Sequence, residues 1–211
     1  MKPSLLIVGG GGHGKVVADA AMATGAWKRI AFLDNHWHSL GRVLGLEMLG
    51  ANDAMERLRP EFDDLLVALG DNDRRMDLLD RGRALGYVLP VLRHPDSSVS
   101  PTARIGEGTV VFAQAAVNPA AEIGRGVIIN TGAAIEHDCR IGDGGQVSPG
   151  ACMGGEARLG AQAFLGINAS VLPKVSVGEG TTVGAGAAVI RDLPRNVVAT
   201  GVPARVRGEV K

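Results

Sequence analysis

The feature that most constrains this fold is an aliphatic residue that recurs every six positions from residue 99 to residue 189. The series reads Val99, Ile105, Val111, Val117, Ile123, Ile129, Ile135, Ile141, Val147, Met153, Leu159, Leu165, Val171, Val177, Val183 and Val189. The residue four places after each of these is small in nearly every repeat. A fixed period of this kind indicates a repeat architecture, and six residues suit a short strand followed by a corner. Three units would close a coil, and coils would stack at about 4.8 Å, which predicts a prism of about five coils.

Composition supports a repeat and excludes several classes of protein. Aromatic residues make up only 3% of the 211 residues and glycine accounts for 31, so the core must be built from small and aliphatic side chains. The 22 basic and 22 acidic side chains cancel, which argues against a nucleic-acid partner, because such proteins need a basic face. No apolar run approaches the roughly 20 residues of a membrane span. Cys139 and Cys152 show no framework spacing, which predicts reduced thiols in a cytoplasmic protein.

Residues 1–95 lack the six-residue period and alternate between strand and helix patterns. An apolar run ends in glycine at "LLIVGG", a helical pattern follows in "HGKVVADAAMATG", and "RIAFLD" and "DLLVALG" are further buried strands. This alternation predicts a small Rossmann-like parallel α/β domain over residues 1–95. Residues 96–211 would form the second domain, a parallel β-helix of hexapeptide repeats.

The turn "GGGGHG" at residues 9–14 matches the G-x-G-x-x-G pattern of nucleotide-binding proteins. Asp34 follows at the end of the second predicted strand, where an acidic residue commonly contacts a ribose. The glycines would let a phosphate approach the backbone at the start of a helix. A nicotinamide dinucleotide needs two mononucleotide halves, and this domain has room for about one, which favours a nucleotide-linked substrate. The alternative is a tight strand–helix turn that binds no ligand.

The whole chain resembles the sialic acid O-acetyltransferase-like sugar acyltransferases, which combine a short α/β domain with a left-handed β-helix. The resemblance rests on "IVGGGGHG", "FLDN", "NTGAAIEHDCRIGD", "FLGINASVLP" and "GVPARV". The most similar members are N-acetyltransferases of nucleotide-linked 4-amino-sugars in bacillosamine and perosamine pathways. The resemblance implies acetyl-CoA as co-substrate, a role in glycan biosynthesis and a homotrimer with active sites between neighbouring prisms.

The same resemblance implies a nucleotide-sugar pocket in the first domain. Its contacts would come from Gly11, Gly12 and His13 in the glycine turn, from Asp34 and Asn35 after the second strand, and from Gly70 after the third predicted strand. The sequence "FLDN" departs from the paired acids of some relatives, which leaves the nucleobase open. His13 could instead be a residue at the helix N-terminus that contacts no ligand.

His137 is the only histidine after residue 94, and it lies in a segment with few other groups suited to proton transfer. Acetyl transfer to an amine or hydroxyl requires removal of a proton, which suits an imidazole with an ordinary pKa near 6.5. Two positions after inward-facing Ile135, His137 is expected near a corner of the prism, with Asp138 beside it to orient the ring. The resemblance implies that His137 is the general base and Asp138 its partner; the alternative is a surface histidine at a turn.

Gln146 stands where relatives often carry a second histidine, nine positions after the first. Its amide can donate a hydrogen bond to a thioester carbonyl but cannot carry a proton through the reaction. Pro149, Ile167 and Ala185 are 18 residues apart and would form one column along the prism. The resemblance assigns CoA contacts to Ile167 and Ala185, with Gln146 as a further contact.

Several functions remain open at this point. An O-acetyltransferase acting on a sialic acid or another sugar hydroxyl would use the same base, and the nucleotide-like turn favours the amine. A γ-type carbonic anhydrase requires three zinc-binding histidines, whereas residues 99–211 contain only His137, so no metal is expected. A non-catalytic nucleotide-binding scaffold would leave "EHD" without a purpose.

Overall fold

The computed structural model describes residues 2–210 and divides the chain into two compact units, residues 1–95 and 96–211. None of the helices within residues 2–210 is long and apolar enough to cross a membrane.

The first unit is built on a four-stranded parallel sheet in the order β3-β2-β1-β4. Its strands are β1 (Ser4–Val8), β2 (Arg29–Leu33), β3 (Glu47–Met48) and β4 (Asp64–Val67), and a short β5 (Leu92–Arg93) ends the unit. Strands β1 and β4 are buried along their whole length, as expected for a sheet covered on both faces. The short β3 was not predicted, so the third strand expected from the sequence is β4.

The helices of this unit are α1 (Gly12–Thr24), α2 (Trp37–Leu40), α3 (Met55–Leu58) and α4 (Asn72–Ala84), with a 3-10 turn at Asn52–Ala54. Gly25 ends α1 in the left-handed conformation, with φ 61°, and its N–H donates to the carbonyl of Met22. Asp71 caps the N-terminus of α4 by accepting a hydrogen bond from the N–H of Arg74. The predicted α/β architecture is confirmed.

The second unit consists mainly of two-residue strands that recur every six residues, with a two-residue corner in the middle of each four-residue connection, and it ends with two longer strands. In chain order they are β6 (Ser98–Val99), β7 (Arg104–Ile105), β8 (Val110–Val111), β9 (Ala116–Val117), β10 (Glu122–Ile123), β11 (Ile128–Ile129), β12 (Ala134–Ile135), β13 (Arg140–Ile141), β14 (Gln146–Val147), β15 (Cys152–Met153), β16 (Arg158–Leu159), β17 (Phe164–Leu165), β18 (Ser170–Val171), β19 (Ser176–Val177), β20 (Thr182–Val183), β21 (Ala188–Val189), β22 (Val197–Thr200) and β23 (Arg205–Glu209). Every third strand pairs in parallel, which produces three sheets. The first sheet holds β7, β10, β13, β16 and β19, the second β8, β11, β14, β17, β20 and β22, and the third β6, β9, β12, β15, β18 and β21. Strand β23 extends the second sheet by pairing antiparallel with β22.

The register of these sheets is 18 residues, so Ile123 pairs with Ile141 and Ile141 with Leu159. Successive strands pass from the third sheet to the first and then to the second, which makes each coil a triangle. The second residue of each strand points inward, and Ile135, Val147 and Leu165 are fully buried. The small position after the corner is also buried in most repeats, as at Ala151 and Ala163, and partly buried at Ala103 and Val175. The predicted prism and its inward-facing series are therefore confirmed.

Candidate active site

Four of the five glycines of the β1–α1 turn, at residues 9–14, divide into two pairs. Gly9 has φ +108°, and a Cβ there would lie 2.6 Å from the carbonyl oxygen of Ala68. A Cβ on Gly14 would overlap the carbonyl oxygen of Gly9, so both of these positions require glycine for packing. Gly11 and Gly12 are exposed, and a Cβ on either would meet nothing within 4 Å. Their backbone is open to a ligand at the N-terminus of α1, where N–H groups lack partners within the helix.

His13 is the second residue of α1, and its imidazole is largely enclosed. Burial, and secondarily the positive charge of Arg75, lowers the pKa of His13 to about 4. The guanidinium of Arg75 is buried, and it donates hydrogen bonds to the carbonyl of Leu69 and to Oδ1 of Asn72, both at 2.8 Å. At neutral pH His13 is therefore uncharged, and it would contact a ligand as a neutral hydrogen-bonding group rather than as a cation.

Asp34 joins the glycine turn to the loop after β2. Its Oδ2 accepts a hydrogen bond from the N–H of Gly10, and its Oδ1 accepts one from the N–H of His36, both at 2.8 Å. Burial alone would raise the pKa of Asp34, but these backbone hydrogen bonds and the His36 ring together lower it. Asn35 accepts a hydrogen bond from the N–H of Asn52 at 3.1 Å. The loop is thus held in place by side chains with further hydrogen-bonding capacity.

A cavity of about 390 Å³ lies beside this loop in the first unit. Its lining residues are Gly9, Asp34, Asn35, His36, Asn52, Leu69, Arg74, Asp77 and Leu78. Asp34 and Asn35 were expected here from the sequence, whereas Gly11, Gly12, His13 and Gly70 are not among the lining residues. Arg74 and Asp77 were not predicted, although their spacing of three puts them on one face of α4.

His137 and Asp138 form the corner between β12 and β13. The N–H of Asp138 donates to the carbonyl of Pro119 at 3.1 Å, and the carbonyl of His137 accepts from the N–H of Glu156 at 2.9 Å. The coils on both sides therefore fix this corner. Asp138 has φ +58°, a left-handed conformation that aspartate tolerates better than most residues. Both side chains are about half exposed, at 57%.

The imidazole Nδ1 of His137 lies 2.8 Å from Oδ2 of Asp138. With Asp138 ionised, Nδ1 carries the proton and donates it to the carboxylate, so Nε2 keeps the free lone pair. The hydrogen bond to Asp138 raises the pKa of His137, and the negative charges of Asp138, Glu136 and Glu156 act in the same direction. Nε2 is thus prepared to accept a proton, and the resulting imidazolium is stabilised.

The residues expected to bind CoA lie elsewhere on the prism. Gln146 points outward from β14, and its Oε1 is buried and accepts no hydrogen bond from the residues that the structure describes. Ile167 is 53% exposed at the corner between the second and third sheets, and Ala185 follows it in the same column. The N–H of Gly186 donates to the carbonyl of Ile167 at 2.8 Å, which joins the two coils.

Within one chain these groups do not meet. His137 occupies the edge between the third and first sheets, and Gln146 lies on the second sheet, the face opposite that edge. Ile167 and Ala185 occupy a different edge. A single prism therefore presents His137 and the expected CoA contacts on different sides.

Within residues 2–210, no group of three or more histidine, cysteine, aspartate or glutamate side chains is arranged to hold a metal ion.

Sequence comparison identifies related proteins for both units. Residues 4–81 match the family model of the PglD N-terminal domain. The UDP-N-acetylbacillosamine N-acetyltransferase of Bacillus subtilis (strain 168) is 38% identical over 113 residues, which are 52% of this chain and 51% of that protein. The match thus spans about half the length of this curated relative.

Two groups of solved structures resemble nearly the whole chain. The acetyltransferase domain of PglB from Neisseria gonorrhoeae FA1090, in complex with acetyl coenzyme A, is 40% identical with a TM-score of 0.94 and covers 98% of this chain and 100% of its own. PerB from Caulobacter crescentus, in complex with CoA and GDP-perosamine, is 42% identical with a TM-score of 0.92, and the match covers 97% of both chains.

Proposed function

This chain belongs to the family of hexapeptide-repeat acetyltransferases that includes the PglB acetyltransferase domain and PerB, and on that premise we propose that it transfers an acetyl group from acetyl-CoA to the amine of a nucleotide-linked amino-sugar. The observation that carries the proposal is the 40–42% identity over 97–98% of the chain to structures that hold acetyl-CoA, or CoA with GDP-perosamine. Since the similarity includes both units, it supports both the acetyl donor and the nucleotide-linked acceptor.

His137 is the proposed general base. The amine nitrogen attacks the carbonyl carbon of the thioester, and Nε2 of His137 takes the proton that the nitrogen loses as the bond forms. The carbon–sulfur bond then breaks, the CoA sulfur takes up a proton, and an amide remains on the sugar. Asp138 is the proposed orienting partner, because its 2.8 Å contact with Nδ1 leaves Nε2 free and stabilises the imidazolium.

Gln146, Ile167 and Ala185 are the proposed CoA contacts. Ile167 and Ala185 give an exposed edge along which an extended pantetheine arm can lie. The Gln146 amide would donate a hydrogen bond to the acetyl carbonyl, which gains negative charge during attack. Because glutamine does not titrate, this role involves no proton transfer.

The proposed nucleotide-sugar site is in the first unit, at the glycine turn and the adjacent cavity. Gly11 and Gly12 offer open backbone for phosphate, and neutral His13 stands beside them. Asp34 and Asn35 line the cavity, where they can contact the nucleoside. Gly70, which follows β4 and does not line the cavity, is proposed as a further contact on the family resemblance alone.

The proposed assembly is a homotrimer in which each active site is shared by two chains. The proposed base and the expected CoA contacts lie on different sides of one prism, so a second copy is needed to bring them together. We further propose a cytoplasmic location, which the unpaired Cys139 and Cys152 support, since free thiols are typical of reducing compartments.

The test is a thiol-release assay with acetyl-CoA and a panel of UDP-, GDP- and dTDP-linked 4-amino-sugars, with a sialic acid as the hydroxyl acceptor. We expect CoA release with at least one nucleotide-linked amine and an N-acetyl product by mass spectrometry. Release with the sialic acid alone would replace the proposal with O-acetylation. Tight nucleotide-sugar binding without any acetyl transfer would instead indicate a binding scaffold.

A further inference from the structure

Gly155 is exceptional among the corners of the prism. Fifteen two-residue corners begin at Pro101 and recur every six residues to Ala185, and Gly155 is the only glycine at the first position of any of them. The left-handed residue of a corner is its second one, as at Asp138 with φ +58° and Glu156 with φ +63°. The backbone therefore does not require glycine at position 155, and another cause must explain it.

The imidazole of His137 occupies the space where a Gly155 side chain would be. A Cβ on Gly155 would lie 2.5 Å from Nε2, 2.7 Å from Cε1 and 3.2 Å from Cδ2 of His137. The two residues are 18 positions apart, so Gly155 is directly adjacent to His137 in the next coil. The same column holds Pro119 before His137 and Pro173 after Gly155, and both carry rings. Gly155 is the one position in this column that leaves room for its neighbour.

We propose that Gly155 is a positioning residue: the absence of a side chain there lets the His137 ring lie across the corner, with Nδ1 on Asp138 and Nε2 held in one place. This inference rests on the proposed function in that Nε2 is taken as the base. Asp138 restrains one side of the ring by a hydrogen bond, and Gly155 supplies the surface beneath it. A methyl group at position 155 would displace Nε2 by about 1 Å to restore van der Waals separation.

A purely structural role for Gly155 predicts different behaviour. A Cβ on neighbouring Gly154 would lie 2.7 Å from the backbone nitrogen of Pro173, a rigid atom, so alanine there would strain the fold. At Gly155 the three nearest atoms all belong to the His137 side chain, which can rotate into solvent because it is half exposed. Alanine at position 155 should therefore spare the fold and move the ring.

The test compares Gly155→Ala with Gly208→Ala, where a Cβ meets nothing within 4 Å. We expect Gly155→Ala to keep or slightly raise the Tm, because alanine restricts the unfolded chain more than glycine does. We also expect its kcat to fall roughly ten- to hundred-fold, the cost of misplacing a catalytic group by about 1 Å. The KM for acetyl-CoA and for the nucleotide-sugar should change less than about three-fold. Gly208→Ala should retain wild-type kcat.

Two further measurements test the positioning role of Gly155 separately from the proposed acetyltransferase function. In a His137→Ala background, Gly155→Ala should have no additional effect on kcat, because it acts through the ring. A crystal structure of Gly155→Ala should show Nε2 displaced by about 1 Å or more, and that readout does not depend on activity. If the wild type acetylates no acceptor, the proposed function fails while the displacement still stands. If the wild type is active and Gly155→Ala keeps kcat within two-fold, or the ring does not move, the positioning role is refuted.

Discussion

At the residue scale, the hydrogen bond between His137 and Asp138 explains why this histidine suits proton transfer. Aspartate on Nδ1 directs the free lone pair to Nε2 and raises the pKa of the ring. If His137 is the base, it functions only when neutral, so kcat/KM should rise with pH through an ionisation above the ordinary histidine value. Glu136 and Glu156 contribute to the same shift.

Asp138→Asn should move that ionisation to lower pH, because the amide removes the negative charge that stabilises imidazolium. It should also reduce the plateau kcat by less than His137→Ala does, since the base remains. The measurement is kcat/KM against pH for the wild type and the variant. Asp143→Asn, in the next corner along the chain, is the matched control and should leave the midpoint unchanged. An identical midpoint in Asp138→Asn would show that this carboxylate does not act on the base.

Sequence reasoning at this scale predicted the pairing of His137 with Asp138 from their adjacency at a corner. It did not identify Gly155, although the 18-residue register was sufficient to place that residue beside the ring. It also did not find Arg74 and Asp77 in the cavity wall. Packing of the first unit decides which face of α4 lies toward the loop after β2. The polar pattern of the helix alone does not predict that face.

At the element scale, the β1–α1 turn combines glycines that packing requires with glycines that leave the backbone open. The sequence pattern could not separate the two kinds, because the same residue type occupies every one of these positions in one short turn. The structure separates them by what a Cβ would meet at each position. This distinction yields a matched pair of substitutions within one turn.

Gly14→Ala should destabilise the fold by about 1–3 kcal/mol, because its methyl overlaps the carbonyl of Gly9 in a packed site. Gly12→Ala should preserve the Tm, since nothing lies within 4 Å of the added methyl. It should nevertheless raise the KM for the nucleotide-sugar, because the methyl stands where phosphate would approach the backbone. Thermal unfolding and steady-state kinetics measure both effects. An unchanged KM for the nucleotide-sugar in Gly12→Ala would show that this turn does not bind the substrate.

The prism is the element that the sequence predicted most completely. Strands β6 to β21 are only two residues long, and one residue of each points into the core. An aliphatic residue is therefore needed at the same place in every six-residue repeat, which makes the pattern easy to recognise in the sequence. The first unit was harder to predict in detail, because the two-residue strand β3 and the four-residue helix α2 are too short to produce a periodic pattern.

At the scale of the whole molecule, a site shared between chains makes a quantitative prediction for mixed oligomers. His137→Ala removes the base, and Ile167→Arg places a charge on the exposed edge expected to bind CoA. If each site takes its base from one chain and its CoA edge from a neighbouring chain, about one in three sites of a trimer that contains both variants combines a wild-type His137 with a wild-type Ile167.

The experiment is co-expression of differently tagged chains, purification of mixed oligomers through both tags, and measurement of kcat. Recovered activity well above both parental variants is the expected outcome. Oligomers as inactive as their parents would place the whole site within one chain. A wild-type chain that sediments as a fully active monomer at micromolar concentration would likewise end the trimer proposal.

The central claim is that this chain acetylates a nucleotide-linked amine with His137 as its base, and the kcat of His137→Ala tests it most directly. With an acceptor from the panel, we predict a loss of roughly 10²–10⁴ in kcat, the usual contribution of general acid–base catalysis. Calorimetry should show nearly unchanged affinity for both substrates, because the imidazole acts on the transferring proton. If His137→Ala instead keeps more than about a third of wild-type kcat at pH 7 to 8, the enzyme would act mainly by holding amine and thioester together, and the account of the base would be wrong.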